Sequence, residues 1–218
     1  MWSTPIDQYC ERLDPSFWAE PVNALTNAAF IAAAVMALID WRRGGSSDRA
    51  VLALILVVFA IGFGSFAFHT LATRGARLLD VIPIGIFIYG YFLLALRRML
   101  GVPWIYAVAL LIAFMALSNG LAIAVPREVL NGSTGYFPAL GALLIFGWLL
   151  RDSPQGRAML TGAGIFVASL ALRIVDLDIC DAFPLGTHFL WHVLNAVLLY
   201  ILLRGALARP RIGELIPR

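Results

Sequence analysis

The sequence predicts an all-α, polytopic membrane protein built as a bundle of seven transmembrane helices, and three observations predict it. Hydrophobic residues make up 61% of the 218 and charged residues only 13%, with a mean hydropathy of +0.86. Soluble domains carry roughly 45–50% apolar and about 25% charged residues. The apolar residues are gathered into runs of about 20, the length a spanning helix needs, and the gaps between runs hold turn and charge signals.

The first span is placed at 22–41, after an acidic segment, and is closed by Arg42-Arg43-Gly44-Gly45-Ser46-Ser47. The second, 50–69, is a continuous apolar run that finishes on Ser65-Phe66-Ala67-Phe68-His69. Arg74-Gly75-Ala76-Arg77 separates it from the third, 80–98, which Asp80 opens and Arg97-Arg98 closes. Pro83 then falls in a first turn, where backbone N–H groups lack helical partners anyway. The fourth span, 103–124, runs to Pro126-Arg127-Glu128, and the fifth, 134–151, to Arg151-Asp152-Ser153-Pro154. Asn119-Gly120 and Asn131-Gly132-Ser133 blur their limits. The sixth and seventh lie at 158–175 and 187–204. Short loops leave no room for a second domain, so 1–218 is read as one unit with an N-terminal segment 1–21 and a tail 205–218. No fixed-period repeat is visible.

Charge sets the expected orientation. All sixteen basic residues are Arg, and most lie in the polar gaps, where topology is decided. The formal charge of +3 therefore gives no argument for nucleic acid. The absence of Lys excludes a retinal Schiff base. Met1-Trp2-Ser3-Thr4-Pro5-Ile6-Asp7 lacks the basic and apolar regions of a cleavable signal. With seven spans, Arg42, Arg43, Arg49, Arg97, Arg98, Arg151, Arg157, Arg204, Arg209, Arg211 and Arg218 share the side of the C-terminus. Arg12, Arg74, Arg77 and Arg127 share the other side, with Arg173 near a helix end. The positive-inside rule puts the C-terminus in the cytoplasm and the N-terminus outside. Short tails, no Lys and no sorting signal make a bacterial plasma membrane the expected location.

The chain has three histidines, His69, His188 and His192. The i, i+4 pair His188 and His192 shares one helical face. The topology puts both in the first turns of the seventh span, His69 at the outer end of the second and Asp80 at the same level. Intramembrane ionisable groups are costly and usually functional. Three imidazoles with no fourth protein ligand match a catalytic zinc site that keeps one position open. Zinc held by neutral imidazoles keeps its full charge and activates water near neutral pH. Asp80 is placed to take the water's proton and hand it to a leaving group. Ser65, four residues before His69 on the same face, is placed to assist an oxyanion. The alternatives are histidines and a Ser65 that only make helix-packing hydrogen bonds, or haem held by two histidines, which leaves the third idle. Trp191 reads as a pocket wall or a lipid-facing aromatic.

Ser65-x₃-His69, Leu78-Leu79-Asp80-Val81-Ile82-Pro83 and His188-Phe189-Leu190-Trp191-His192 resemble the alkaline ceramidases, part of a wider superfamily of seven-helix hydrolases that includes adiponectin-receptor-like proteins. Cys10-Glu11 and Ala19-Glu20-Pro21-Val22-Asn23-Ala24-Leu25-Thr26-Asn27 favour the ceramidase branch. The resemblance implies a zinc amidase that cleaves ceramide to a sphingoid base and a fatty acid. It implies zinc on His69, His188 and His192, acid/base work by Asp80 and oxyanion assistance by Ser65. It also implies a calcium site before the first span, for which Asp7, Glu11, Asp14 and Glu20 offer hard oxygen ligands. That pattern is incomplete. Gln8 stands where the family has Asp, two residues before Cys10; the usual Asn is missing, with Leu13 and Asp14 nearby; and the distance to Glu20 is two residues shorter. An acidic solvated tail is the alternative.

Cys10 and Cys180 are the only cysteines. Both fall on the outward side, where an oxidising compartment permits a disulfide; two free thiols are the alternative. The expected partner is a membrane lipid. Hydrolysis of another lipid amide or ester and a zinc-containing lipid receptor are the rival functions. A transporter would need polar residues along the middle of several spans, and these spans are nearly all apolar.

Overall fold

The computed structural model describes residues 2–208; the tail arginines Arg209, Arg211 and Arg218 lie outside the described residues. Helices α1 (Pro21–Thr26) and α2 (Ala28–Arg43) form one apolar rod interrupted at Asn27. Then follow α3 (Arg49–Leu71), α4 (Arg74–Leu94, extended to Met99 by a π-helical turn), α5 (Trp104–Ala124), α6 (Phe137–Leu149), α7 (Pro154–Val175) and α8 (His188–Leu207). Among the described residues the only β feature is a bridge between Pro5 and Thr73.

Six of the seven expected spans are long and apolar enough to cross a membrane. The fifth is shorter. A turn of 3₁₀-helix and α6 together cover Thr134–Leu149, which at 1.5 Å per residue is about 24 Å, less than a hydrocarbon core of about 30 Å. The third expected span also differs. It starts at Arg74, not Asp80, because Thr73 is an N-cap whose hydroxyl accepts the Ala76 N–H. Asp80 thus lies nearly two turns inside α4, and Pro83 is interior rather than in the first turn.

Helix α3 packs along α4, α7 along α8, and α2 lies between α3 and α8. Residues of α2, α3, α4 and α8, with Met159, Phe166 and Leu170 of α7, Phe114 of α5 and Ala139 of α6, make the main apolar core. Helix α5 buries little of itself, leaving Ile105, Ile112, Leu117 and Ile123 facing outward. This suits a rod whose surroundings are lipid.

One contact sets the α3–α4 spacing. A Cβ on Gly64 would lie 1.9 Å from the backbone oxygen of Leu79. That oxygen is four residues before Pro83, which has no N–H to give it. Glycine on α3 and proline on α4 therefore let the two backbones touch, and the next residues along each helix are Ser65 and Asp80.

The N-terminal segment folds back over this end of the bundle. The Ile6 N–H donates to Ala72 O (2.7 Å) and the Arg74 N–H to Thr4 O (3.0 Å). A disulfide joins Cys10 to Cys180, across 170 residues, in the loop before α8.

Candidate metal centre

Helix α3 carries His69 two residues before its C-terminus, and α8 starts with His188 and His192 one turn later. All three side chains are buried, at 1–2% exposure. Their ring centroids are 4.6–5.2 Å apart, and one ligand nitrogen of each lies within 4.8 Å of the others. Among the described residues this is the one such group of His, Cys, Asp or Glu, and Asp80 is not in it.

The surroundings assign proton positions to two rings. His69 Nδ1–H donates to Glu20 Oε2 at 2.6 Å, leaving Nε2 buried without a partner. The Thr26 hydroxyl donates to Val22 O (2.8 Å), so it accepts from His192 Nδ1–H at 3.0 Å. His188 Nδ1 is buried and unpartnered. Unpaired polar nitrogens are costly in an interior, and here they belong to rings that converge. A divalent ion with nitrogen preference, such as zinc, fits this donor set. The carboxylate on His69 is the kind of outer contact that orients a metal-binding imidazole.

Glu20 is fixed in turn by Arg12, whose Nε donates to Oε1 at 2.5 Å, and by Asn23 (3.2 Å). Burial raises the Glu20 carboxyl, but the His69 and Arg12 contacts outweigh it and hold the group below its usual range. Tyr9 stacks on His188 with centroids 3.6 Å apart. Burial pushes its phenol far up, so the ring is neutral.

Asp176 aims α8. This fully buried carboxylate accepts the N–H groups of Thr187 (2.6 Å) and His188 (2.9 Å) on Oδ1, and that of Cys10 (3.3 Å) on Oδ2. It thereby satisfies N–H groups that a helix start leaves over. Gly186 has φ +66°, and a Cβ there would meet Asp176 Oδ1 at 2.3 Å. Sequence reasoning missed Tyr9, Thr26 and Asp176. For the last, the available signal was an Asp twelve residues before His188 followed by a Gly-Thr turn.

Ser65 and Asp80 are buried and face each other across the α3–α4 contact. Asp80 Oδ1 has no hydrogen-bond partner. Both line a cavity of about 660 Å³ together with His188, His192, Tyr9 and Trp191. Trp191 is thus a wall of the pocket. Phe30, Ile61, Ile84, Tyr136 and Trp191 also border a second, apolar cavity running deeper between the helices toward Leu198 and Leu202.

Among the described residues, no three of the four acidic residues read as calcium ligands lie close enough together to share an ion. Glu11 binds the Val22 and Asn23 N–H groups (2.7 and 2.8 Å) and so caps α1. Burial raises its carboxyl, partly offset by those two N–H groups. Glu20 faces Arg12 and His69. Asp14 is exposed, and the Ser16 side chain, together with the Ser16 N–H that it accepts at 2.7 Å, lowers its carboxyl. Asp7 is exposed at the cavity rim.

Compared with known protein families, residues 7–208 match the family model described as Ceramidase. A comparison with curated proteins finds no match.

Proposed function

The chain belongs to the ceramidase family, and on that premise we propose that it is a zinc-dependent amidase that hydrolyses the N-acyl bond of ceramide within the membrane. The observation that carries this reading is the open three-histidine group beside a cavity that Ser65 and Asp80 also line. His69, His188 and His192 would hold the metal. Bound there, zinc would supply the positive charge that polarises the amide carbonyl and activates water.

The protein's own groups do the rest. Asp80, which lines the cavity and has one buried oxygen without a partner, takes a proton from the attacking water as the water oxygen bonds to the acyl carbon. As the C–N bond breaks, Asp80 returns that proton to the departing amine, giving a fatty acid and a sphingoid base. The Ser65 hydroxyl orients Asp80 and stands near the developing oxyanion. Trp191, Tyr136 and Phe30 border both cavities and keep the deeper one apolar, the lining that the chain-bearing end of a lipid substrate would meet.

A structural zinc site of receptor type would be closed by a fourth protein ligand, and Asp80 stands outside the group. The N-terminus outside and the C-terminus in the cytoplasm form part of the proposal. The arginine distribution supports it, as does a disulfide at the N-terminal end of the bundle. The test is fatty-acid release from a panel of ceramides and other N-acyl lipids and esters by purified protein in detergent. Wild type should release fatty acid from ceramide, and folded His192→Ala should not. Release only from another lipid amide or ester would replace the substrate, and release from none would reject the hydrolase reading.

A further inference from the structure

Arg12 lies at the centre of the acidic segment before α1 and is only 7% exposed. Its guanidinium sits in a cage of oxygens. Nε donates to Glu20 Oε1 (2.5 Å), Nη1 to the backbone oxygens of Asp14 (3.1 Å) and Ser16 (3.4 Å), and Nη2 to that of His69 (2.9 Å). One carboxylate and three carbonyls around a positive charge are the ligand types that calcium selects, but the charge here is covalently part of the chain. His69 O belongs to the last turn of α3, whose terminal carbonyls need donors and favour a cation.

The other acidic groups are committed elsewhere. Both Glu11 oxygens are used on α1, Asp14 turns back on Ser16, and Asp7 lies at the cavity rim. Gln8 is uncharged, and Leu13 is 85% exposed. A calcium ion, which takes 6–8 oxygens, would have to expel Arg12 and strip Glu11 from its helix.

We propose that the Arg12 guanidinium is the fixed cation of this site, that the chain binds and needs no calcium there, and that Arg12 positions the metal ligand His69 through Glu20. Arg12 thus acts as a positioning residue. The N-terminal segment is tied to the metal centre permanently, and calcium concentration does not gate the enzyme. Only the link to His69 rests on the zinc reading.

The test uses full-length protein in detergent, stripped with a calcium chelator. Thermal unfolding is followed with chelator and with millimolar calcium chloride, and calcium retention is measured by equilibrium dialysis. A ligand bound only by the folded chain, at a hundred times its Kd, raises Tm by several degrees. The expected results are an unchanged Tm and no ion retained above the detergent blank; a rise of several degrees, or one calcium per chain, overturns the proposal. Arg12→Gln and Arg12→Lys test the positioning role by chelator competition for zinc. Arg12→Gln leaves Glu20 on His69 but unanchored, so zinc binding should weaken by up to roughly 10-fold, the lower end of the cost of losing the direct outer contact itself, and Arg12→Lys should recover part of it. Wild-type zinc affinity in both variants overturns that half. If Arg12→Gln does not fold, Arg12→Lys alone is compared with wild type, and the calcium measurements need neither variant. Neither readout uses ceramide, so a failure here is separate from a failure of the amidase reading.

Discussion

A buried imidazole presents one nitrogen to a metal only if something holds the proton on the other. Glu20 does this for His69 and the Thr26 hydroxyl for His192. Thr26→Val keeps the shape and removes the acceptor, so zinc affinity should fall roughly 10–100-fold with helix content unchanged, read by chelator competition and circular dichroism. Asp80→Asn removes the proposed proton carrier and leaves the three histidines. Fatty-acid release should fall by roughly 10²–10⁴-fold while the zinc content stays at the wild-type level. An equal loss of metal would instead make Asp80 a ligand. The histidines, Ser65 and Asp80 were legible in the sequence because they are rare polar groups in apolar runs at helical spacing. Thr26 and Asp176 were not, since Thr within a helix and Asp in a loop are common, and only folding sets Asp176 under the start of α8.

Between elements, the contact of Gly64 with the Leu79 carbonyl is the tightest that bears on the site. Gly64→Ala places a methyl where backbone stands, so α3 and α4 must move apart and take Ser65 from Asp80. Overpacking of this kind costs about 1–3 kcal/mol. The variant should lose both Tm and fatty-acid release, whereas Gly85→Ala, which meets only Tyr89 at 3.7 Å, should keep both. The spans were readable from hydropathy to within a few residues, apart from the start of α4. That start depends on the Thr73 cap and includes Arg74 and Arg77, polar residues that read as loop. The shortness of α6 follows from the 3₁₀ segments at Val129–Gly132 and Thr134–Tyr136, a backbone detail that composition does not carry.

For the whole molecule, the disulfide and Asp176 clamp the N-terminal segment and the α7–α8 loop over one end of the bundle. Cys180→Ser should lower stability by about 2–4 kcal/mol, seen as a lower Tm that reductant does not reduce further. Reductant should bring the wild type down to the same value. The two cysteines and their shared side were legible, but the sequence left the pairing open against two free thiols. A C-terminal phosphatase fusion should be inactive in intact cells if the tail is cytoplasmic, and activity would reverse the orientation.

The proposed function stands on a catalytic zinc ion held by His69, His188 and His192. Metal content is to be determined for purified wild type beside His69→Ala and His192→Ala, with ceramide hydrolysis followed before chelation, after it and after zinc is returned. One zinc per wild-type chain, little in either variant, and activity that departs and returns with the metal are the predicted results. A metal-free wild type that hydrolyses ceramide at its full rate would rule out a catalytic metal on these histidines.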